Sequence, residues 1–271
     1  MRNFRRMSLG WHVVHALEER RVLATAAAAL RVVARTVLEA GGEALLCFRG
    51  SDNHLHSVLL ADRVRAGAFA RTVANTLWHR LRLPVPFEPA RIRPIRDQAH
   101  LRNTFDYVLG NAEHHGAPHD PLFEASNLPD LLGLRECGAV TRATVRAALP
   151  RIARPDLLKL LGVDELAGRF APEHLVEATC AAVLLGSLGG RRAEVVAART
   201  AAVHVAAPHL APGQVDALLG LSDRSGARMR ALAPGPVSNP IATAIRLQMD
   251  LRARKNIVAM TAPFALRAAV P

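Results

Sequence analysis

The sequence predicts an α+β fold: an antiparallel sheet with helices packed on one side, followed by an all-helical region expected to be the smaller of the two. Three observations predict it. Through roughly the first 125 residues, β-prone and helix-prone runs alternate in the order β-α-β-β-α-(loop)-α. Beyond about Glu124 the strand-like runs stop, and Ala/Leu/Arg stretches alternate with Gly- and Pro-marked turns. Half of the 271 residues are hydrophobic and 21% are charged, which suits a packed core and argues against wholesale disorder.

Each element has a local reason. Trp11-His12-Val13-Val14-His15 is a short β-prone run. Leu23 to Ala40 is Ala-rich, carries apolar residues at helical spacing, and stops at Gly41-Gly42. Ala44-Leu45-Leu46-Cys47-Phe48 is short and apolar, Ser51-Asp52-Asn53 makes a turn, and His54-Leu55-His56-Ser57-Val58-Leu59-Leu60 resumes as a strand, giving a hairpin-like pair. Ala66 to Leu81 is helical until Pro84, Pro86 and Pro89 break it. A further helix runs from about Asp97 to about Asn111, and His114 to Pro121 reads as loop. A domain boundary is expected near residue 125, dividing 1–125 from 126–271.

Charge narrows the function classes. The net charge is +12, with +5 in residues 1–125 and +7 in residues 126–271, so both parts are basic and favour polyanionic partners. Only Lys159 and Lys255 are lysines; the dominance of arginine reflects a GC-rich genome. Cys47, Cys137 and Cys180 are odd in number and widely spaced, which argues against a disulfide framework or a cysteine-based zinc site. No run approaches the ~18 apolar residues of a membrane span. The basic start, Met1-Arg2-Asn3-Phe4-Arg5-Arg6, is not followed by an apolar run and cleavage site. The sequence reads as a soluble, cytoplasmic protein with no membrane partner.

His54-Leu55-His56 is the informative point. On a strand, residues i and i+2 share a face, so the two imidazoles project side by side while Leu55 packs the other way. That geometry suits capture of a divalent metal, although on this pattern alone two partly exposed strand histidines are the simpler reading. Tyr107, the sole tyrosine, lies in the helical context Phe105-Asp106-Tyr107-Val108-Leu109-Gly110-Asn111. Asn111 is four residues on and shares its helix face. A helix docked beside the histidine strand would present a nucleophile and an oxygen ligand together.

These residues carry a resemblance. Asp52-Asn53-His54-Leu55-His56-Ser57-Val58-Leu59-Leu60 resembles the Pro-Asn-His-hydrophobic-His-hydrophobic run of the IS200-like, single-tyrosine HUH transposases, in the branch of REP-associated tyrosine transposases. Tyr107-Val108-Leu109-Gly110-Asn111-Ala112 is similar to that family's Tyr-Ile-x-x-Asn-Pro helix, and the gap between the motifs, with a helix and a Pro-rich loop inside it, is similar too. The resemblance covers about residues 8–135, with Ser126 to Arg135 fitting the helical region that follows. Asp52 and Ala112 stand where the family has proline, and Ser57 interrupts the apolar run.

The resemblance implies a ferredoxin-like (HUH/RRM-like) sheet and a metal-dependent enzyme acting on single-stranded or hairpin DNA, as monomer or homodimer. Tyr107 would be the catalytic nucleophile, and His54, His56 and Asn111 would hold Mg²⁺ or Mn²⁺. A 5′-phosphotyrosine and a free 3′-OH are the implied products. Free phenols titrate near 10, so a cation and a general base are needed to activate one. Imidazole donors favour Mn²⁺ over Mg²⁺. The rival expectation is a domesticated, catalytically silent DNA-binding protein, favoured by the altered motif flanks.

One further stretch has helix-turn-helix character. In Gln214 to Arg230, Gly220 makes the turn, Ser222 caps the next helix, and Arg224, Arg228 and Arg230 lie on or near its exposed side as candidate DNA contacts. An ordinary helical hairpin with a solvated basic face explains the pattern equally well, and Gly226 weakens the recognition-helix reading. His114, His115 and His119 read as incidental surface histidines.

Overall fold

A computed structural model of the protein describes residues 8–110, 120–152, 168–233, 235 and 238–254. Four strands, β1 (Gly10–Ala16), β2 (Leu45–Gly50), β3 (His54–Leu59) and β4 (Arg91–Ile95), form one antiparallel sheet in the order β2-β3-β1-β4. α1 (Ala27–Gly41) links β1 to β2, α2 (Arg63–Leu81) links β3 to β4, and α3 (Gln98–Leu109) follows β4.

Caps explain where the helices begin. The Asp62 carboxylate accepts from the Arg65 backbone N–H at 2.7 Å, which starts α2 three residues before the expected Ala66. Asp97 does the same for α3 through the His100 N–H at 2.8 Å. α1 begins at Ala27 and not at Leu23, because Leu23 is held in an extended segment whose N–H donates to the Asp52 carbonyl at 2.6 Å.

β4 was not expected. Arg91-Ile92-Arg93-Pro94-Ile95 is short, largely exposed and carries a proline, so its composition reads as loop. It forms because an edge strand tolerates a proline that cannot donate to a ladder. Gly10, Trp11, His12, Val13 and Val14 of β1 supply its partners.

The helices do not all lie on one side, as expected, but cover both faces. Val13, Leu45, Phe48, Leu55 and Leu59 pack against α1 and α2, through Val33, Val37, Phe69, Val73 and Leu77. Leu46, Cys47, Val58 and Ile95 meet Leu101, Phe105, Val108 and Leu109 of α3 on the opposite face. Every residue of β2 is buried, which is why its sequence is a continuous apolar run with no alternation.

Among the described residues no strand follows β4; the later helices are α4 (Leu128–Leu131), α5 (Ala139–Ala148), α6 (Leu175–Ala182), α7 (Ala193–Ala206), α8 (Pro212–Leu219), α9 (Asp223–Ala231) and α10 (Ser238–Ala253). This region is not the smaller part, since residues 126–271 outnumber residues 1–125. Packing is continuous across residue 125. Leu128, Leu131, Leu132, Val145 and Leu149 join the α3 face of the sheet. Asn127 closes the open edge of β2, its Oδ1 accepting from the Phe48 N–H at 3.0 Å and its Nδ2 donating to the Leu46 carbonyl at 3.2 Å. A separate core among α6–α10 is built on small residues, with Ala178, Ala198, Ala201 and Ala202 fully buried. Among the described residues no helix is long and apolar enough to cross a membrane.

A buried ionic network joins the layers. Glu124, 5% exposed, accepts from Arg31 of α1 at 3.2 Å, from Arg135 at 3.3 Å and from Arg252 of α10 at 3.5 Å. Arg31 also pairs with Glu177 of α6 and donates to the Leu185 carbonyl. Arg135 reaches Asp130 at 3.3 Å and the Ser126 carbonyl at 2.8 Å. Removing Glu124 takes from the buried Arg31 and Arg135 the one carboxylate they share, so Glu124→Ala is expected to cost about 3–5 kcal/mol in urea unfolding; a loss below about 1 kcal/mol would show the network to be incidental.

Asp130 gives the network a pH dependence. Burial pushes its carboxyl up to about 6, and the neighbouring Arg135 and Arg142 charges offset only part of that. Protonated Asp130 therefore favours the fold, a contribution complete below about pH 4 and lost as pH rises through about 6. Relative to the parent, Asp130→Asn should gain stability between about pH 4 and about pH 7. Urea unfolding across that range checks this, and a pH-independent difference would count against it.

Candidate active site

The strand geometry does what the His-x-His spacing requires. Leu55 is fully buried in the α1/α2 core, while His54 and His56 project from the α3 face of central strand β3, their rings 4.7 Å apart. β1 lies antiparallel beside them with Val14 opposite His56. His12, two residues from Val14 along β1, therefore shares this face. Its Nε2 lies 2.9 Å from His56 Nδ1 in a hydrogen bond, with the rings stacked 5.1 Å apart. His15, on the opposite face, is an ordinary core histidine hydrogen-bonded to the Ala70 carbonyl at 3.0 Å.

Helix α3 brings Tyr107 to this point. Leu101, Phe105 and Val108, at i, i+4 and i+7, fix the helix on the sheet. Tyr107 then stands at its shoulder, 40% exposed, with its ring edge-on to His56 at 5.4 Å and to His12 at 6.2 Å. Asn103 and Thr104, four and three residues earlier, share that side. His12, Val14, His56, Arg91, Arg93, Asn103, Thr104 and Tyr107 line an open pocket of about 430 Å³.

Burial lowers the His12 pKa to about 4, helped by the positive charges of Arg93 and His100. His12 is thus a neutral imidazole near pH 7, able to accept a hydrogen bond. His54 Nδ1 lies 2.8 Å from the Asn53 Oδ1, which only accepts, so His54 Nδ1–H donates and its Nε2 carries the lone pair.

The donor set suits a divalent cation at two positions. If His56 Nδ1–H donates to His12 as His54 does to Asn53, both imidazoles present Nε2 lone pairs from one face of one strand, each oriented by an outer partner. Asn111, the third expected ligand, lies outside the described residues, as do His114, His115 and His119. Among the described residues no group of three or more His, Cys, Asp or Glu side chains is arranged to hold a metal.

The expected DNA-contact arginines divide. α8 and α9 do form a helix-turn-helix pair, with Gly220 left-handed at φ +60° and Ser222 capping α9 through the Ser225 N–H. Arg224 and Arg228 are exposed. Arg230 instead donates two hydrogen bonds, at 2.7 and 3.0 Å, to the buried Asp216 carboxylate of α8. The same carboxylate explains Gly226: a Cβ there would lie 2.0 Å from the Asp216 Oδ1.

Sequence reasoning missed His12, Arg91, Arg93 and Asn103. Asn103 was legible as the residue four before Tyr107. The other three depend on strand register, which no local pattern fixes.

The His12–His56 bond has a spectroscopic consequence. Imidazole ¹⁵N shifts should place the His56 proton on Nδ1, and His12→Phe should convert His56 to a mixture of tautomers. A wild-type His56 protonated on Nε2 would reverse the assigned direction of the bond.

Among solved structures, the chain is similar to a REP-associated tyrosine transposase bound to a REP hairpin. Identity is 21%, the TM-score is 0.33, and the similarity covers 43% of this chain and 75% of that one. No protein-family model matches the sequence. No curated protein matches it.

Proposed function

We propose that the protein is a metal-dependent transposase-like nuclease and strand transferase, cleaving and rejoining single-stranded DNA near hairpins such as REP-like palindromes through a 5′-phosphotyrosine. The observation that carries this reading is the convergence of Tyr107 and the His-x-His pair. They come from different elements, yet the tyrosine ring stands 5.4 Å from His56 in a pocket open to solvent. The β-α-β-β-α-β order and the strand order β2-β3-β1-β4 support a ferredoxin-like (HUH/RRM-like) sheet unit. Residues 1–125 would hold the chemistry, and the basic region 126–271 would add DNA contacts through Arg224 and Arg228. Arg230 would serve that surface by fixing α9 to α8 through Asp216.

In this scheme the Tyr107 oxygen attacks a backbone phosphorus, a P–O bond to tyrosine forms, and the P–O3′ bond breaks. The phenol proton leaves to a base, and the 3′-oxygen takes one up and departs as the 3′-OH. The energy of the broken ester is kept in the new one, so attack by another 3′-OH reverses the step and rejoins the strand. His54, His56 and Asn111 would hold Mg²⁺ or Mn²⁺, which when bound polarises the phosphoryl oxygens as a Lewis acid.

The test is a denaturing gel of the purified protein with labelled hairpin oligonucleotides in Mn²⁺. A covalent adduct is expected with the wild type, none with Tyr107→Phe, and a reduction beyond about 10–100-fold with His56→Ala, since losing a ligand costs more than losing its outer partner. An adduct that persists in Tyr107→Phe would refute the nucleophile. Binding without any adduct would return the catalytically silent DNA-binding reading.

A further inference from the structure

Strand β4 places two arginines where no fold requirement puts them. In the β1–β4 register Arg93 lies opposite His12 and Arg91 opposite Val14, which itself faces His56 across β1–β3. Both arginines therefore project from the imidazole face and line the same pocket as Tyr107. Both are exposed, and the apolar anchorage of the strand on this face is Ile95, fully buried. Among the described residues Arg93 has no carboxylate partner. Arg91 has only Glu88 at 3.6 Å, an exposed pair worth little. Charged residues often guard an edge strand against pairing with other chains, but Pro94 and the five-residue length already do that here.

We propose that Arg91 and Arg93 clamp two successive backbone phosphates of a single DNA strand, laying it along β4 so that a phosphodiester reaches Tyr107. At about 3.3 Å per residue the two side chains leave the strand about 6.6 Å apart, comparable to the separation of neighbouring phosphates in an extended strand. The guanidinium fork matches phosphate oxygens in pairs. This clamp rests on the nuclease reading above and gives its pocket a substrate-binding wall.

The experiment measures equilibrium binding of a labelled hairpin oligonucleotide with a single-stranded tail, against salt, in full-length Tyr107→Phe protein so that no adduct forms. Each phosphate contact on a single strand contributes about 0.7 to the slope of log K against log salt. Arg91→Gln/Arg93→Gln should therefore lower the slope by about 1.4, which corresponds to about 25-fold weaker binding at about 0.1 M salt. Arg91→Lys/Arg93→Lys should restore most of the slope. An unchanged slope in the glutamine variant, or a wild type that binds no single strand, overturns the clamp. The two readings separate cleanly. If the wild type forms the Tyr107 adduct but the slope is unchanged, the clamp alone fails. If the slope falls while no adduct forms, the clamp stands and the nuclease reading fails.

Discussion

Glu124 is a carboxylate buried among three arginines, and the rest of the fold is arranged around keeping it paired. A lone carboxylate in that position would carry a large desolvation cost. Arg31 brings α1, Arg135 brings the segment beside α4, and Arg252 brings the end of α10, so layers distant in sequence meet at one charge. Arg31 continues to Glu177 and Arg135 to Asp130, which spreads the network into α6 and under α5. Such a cluster contributes less to net stability than an apolar core of equal size. A helix docked elsewhere would leave a buried charge of this cluster unpaired.

That arrangement matters for the site because it frees the sheet to be covered on both faces. α1 and α2 seal one face with aliphatic and aromatic side chains. On the other, α3 and the helices after residue 125 cover Leu46, Cys47 and Val58, and with them Ile95 at the end of β4. Beyond Ile95, β4 leaves Arg91 and Arg93 exposed, and there they surround the pocket with His12, His56 and Tyr107. The constellation thus sits at the rim of a dry core, with His56 buried at its base and Arg91, Arg93 and Tyr107 exposed around it.

The helical region shows the same economy on a smaller scale. Gly226 permits α8 and α9 to approach until the Asp216 carboxylate touches the α9 backbone, and Arg230 locks that approach. Arg224 and Arg228 are the arginines this leaves exposed on α9. An exposed pair of arginines and a structural ion pair are thus neighbours on one helix.

Much of this was legible in the sequence. The order of elements up to α2, the pairing of the His54 strand with the run before it, and the shared face of His54 and His56 all follow from local periodicity and turn chemistry, which act over a few residues. So does the Gly220–Ser222 helix junction. β4 was not legible, because a strand that contains proline and alternates arginine has no apolar signal of its own. It exists through the hydrogen bonds that β1 offers. His12 as a partner of His56, the engagement of Arg230, and the closure of the β2 edge by Asn127 were equally out of reach. Each depends on residues 14 to 79 positions apart being brought within hydrogen-bond distance. Sequence alone singled out His54, His56 and Tyr107 as candidates. The tertiary structure decided which of them meet, because strand register and helix docking are set by the whole core and not by any neighbour along the chain.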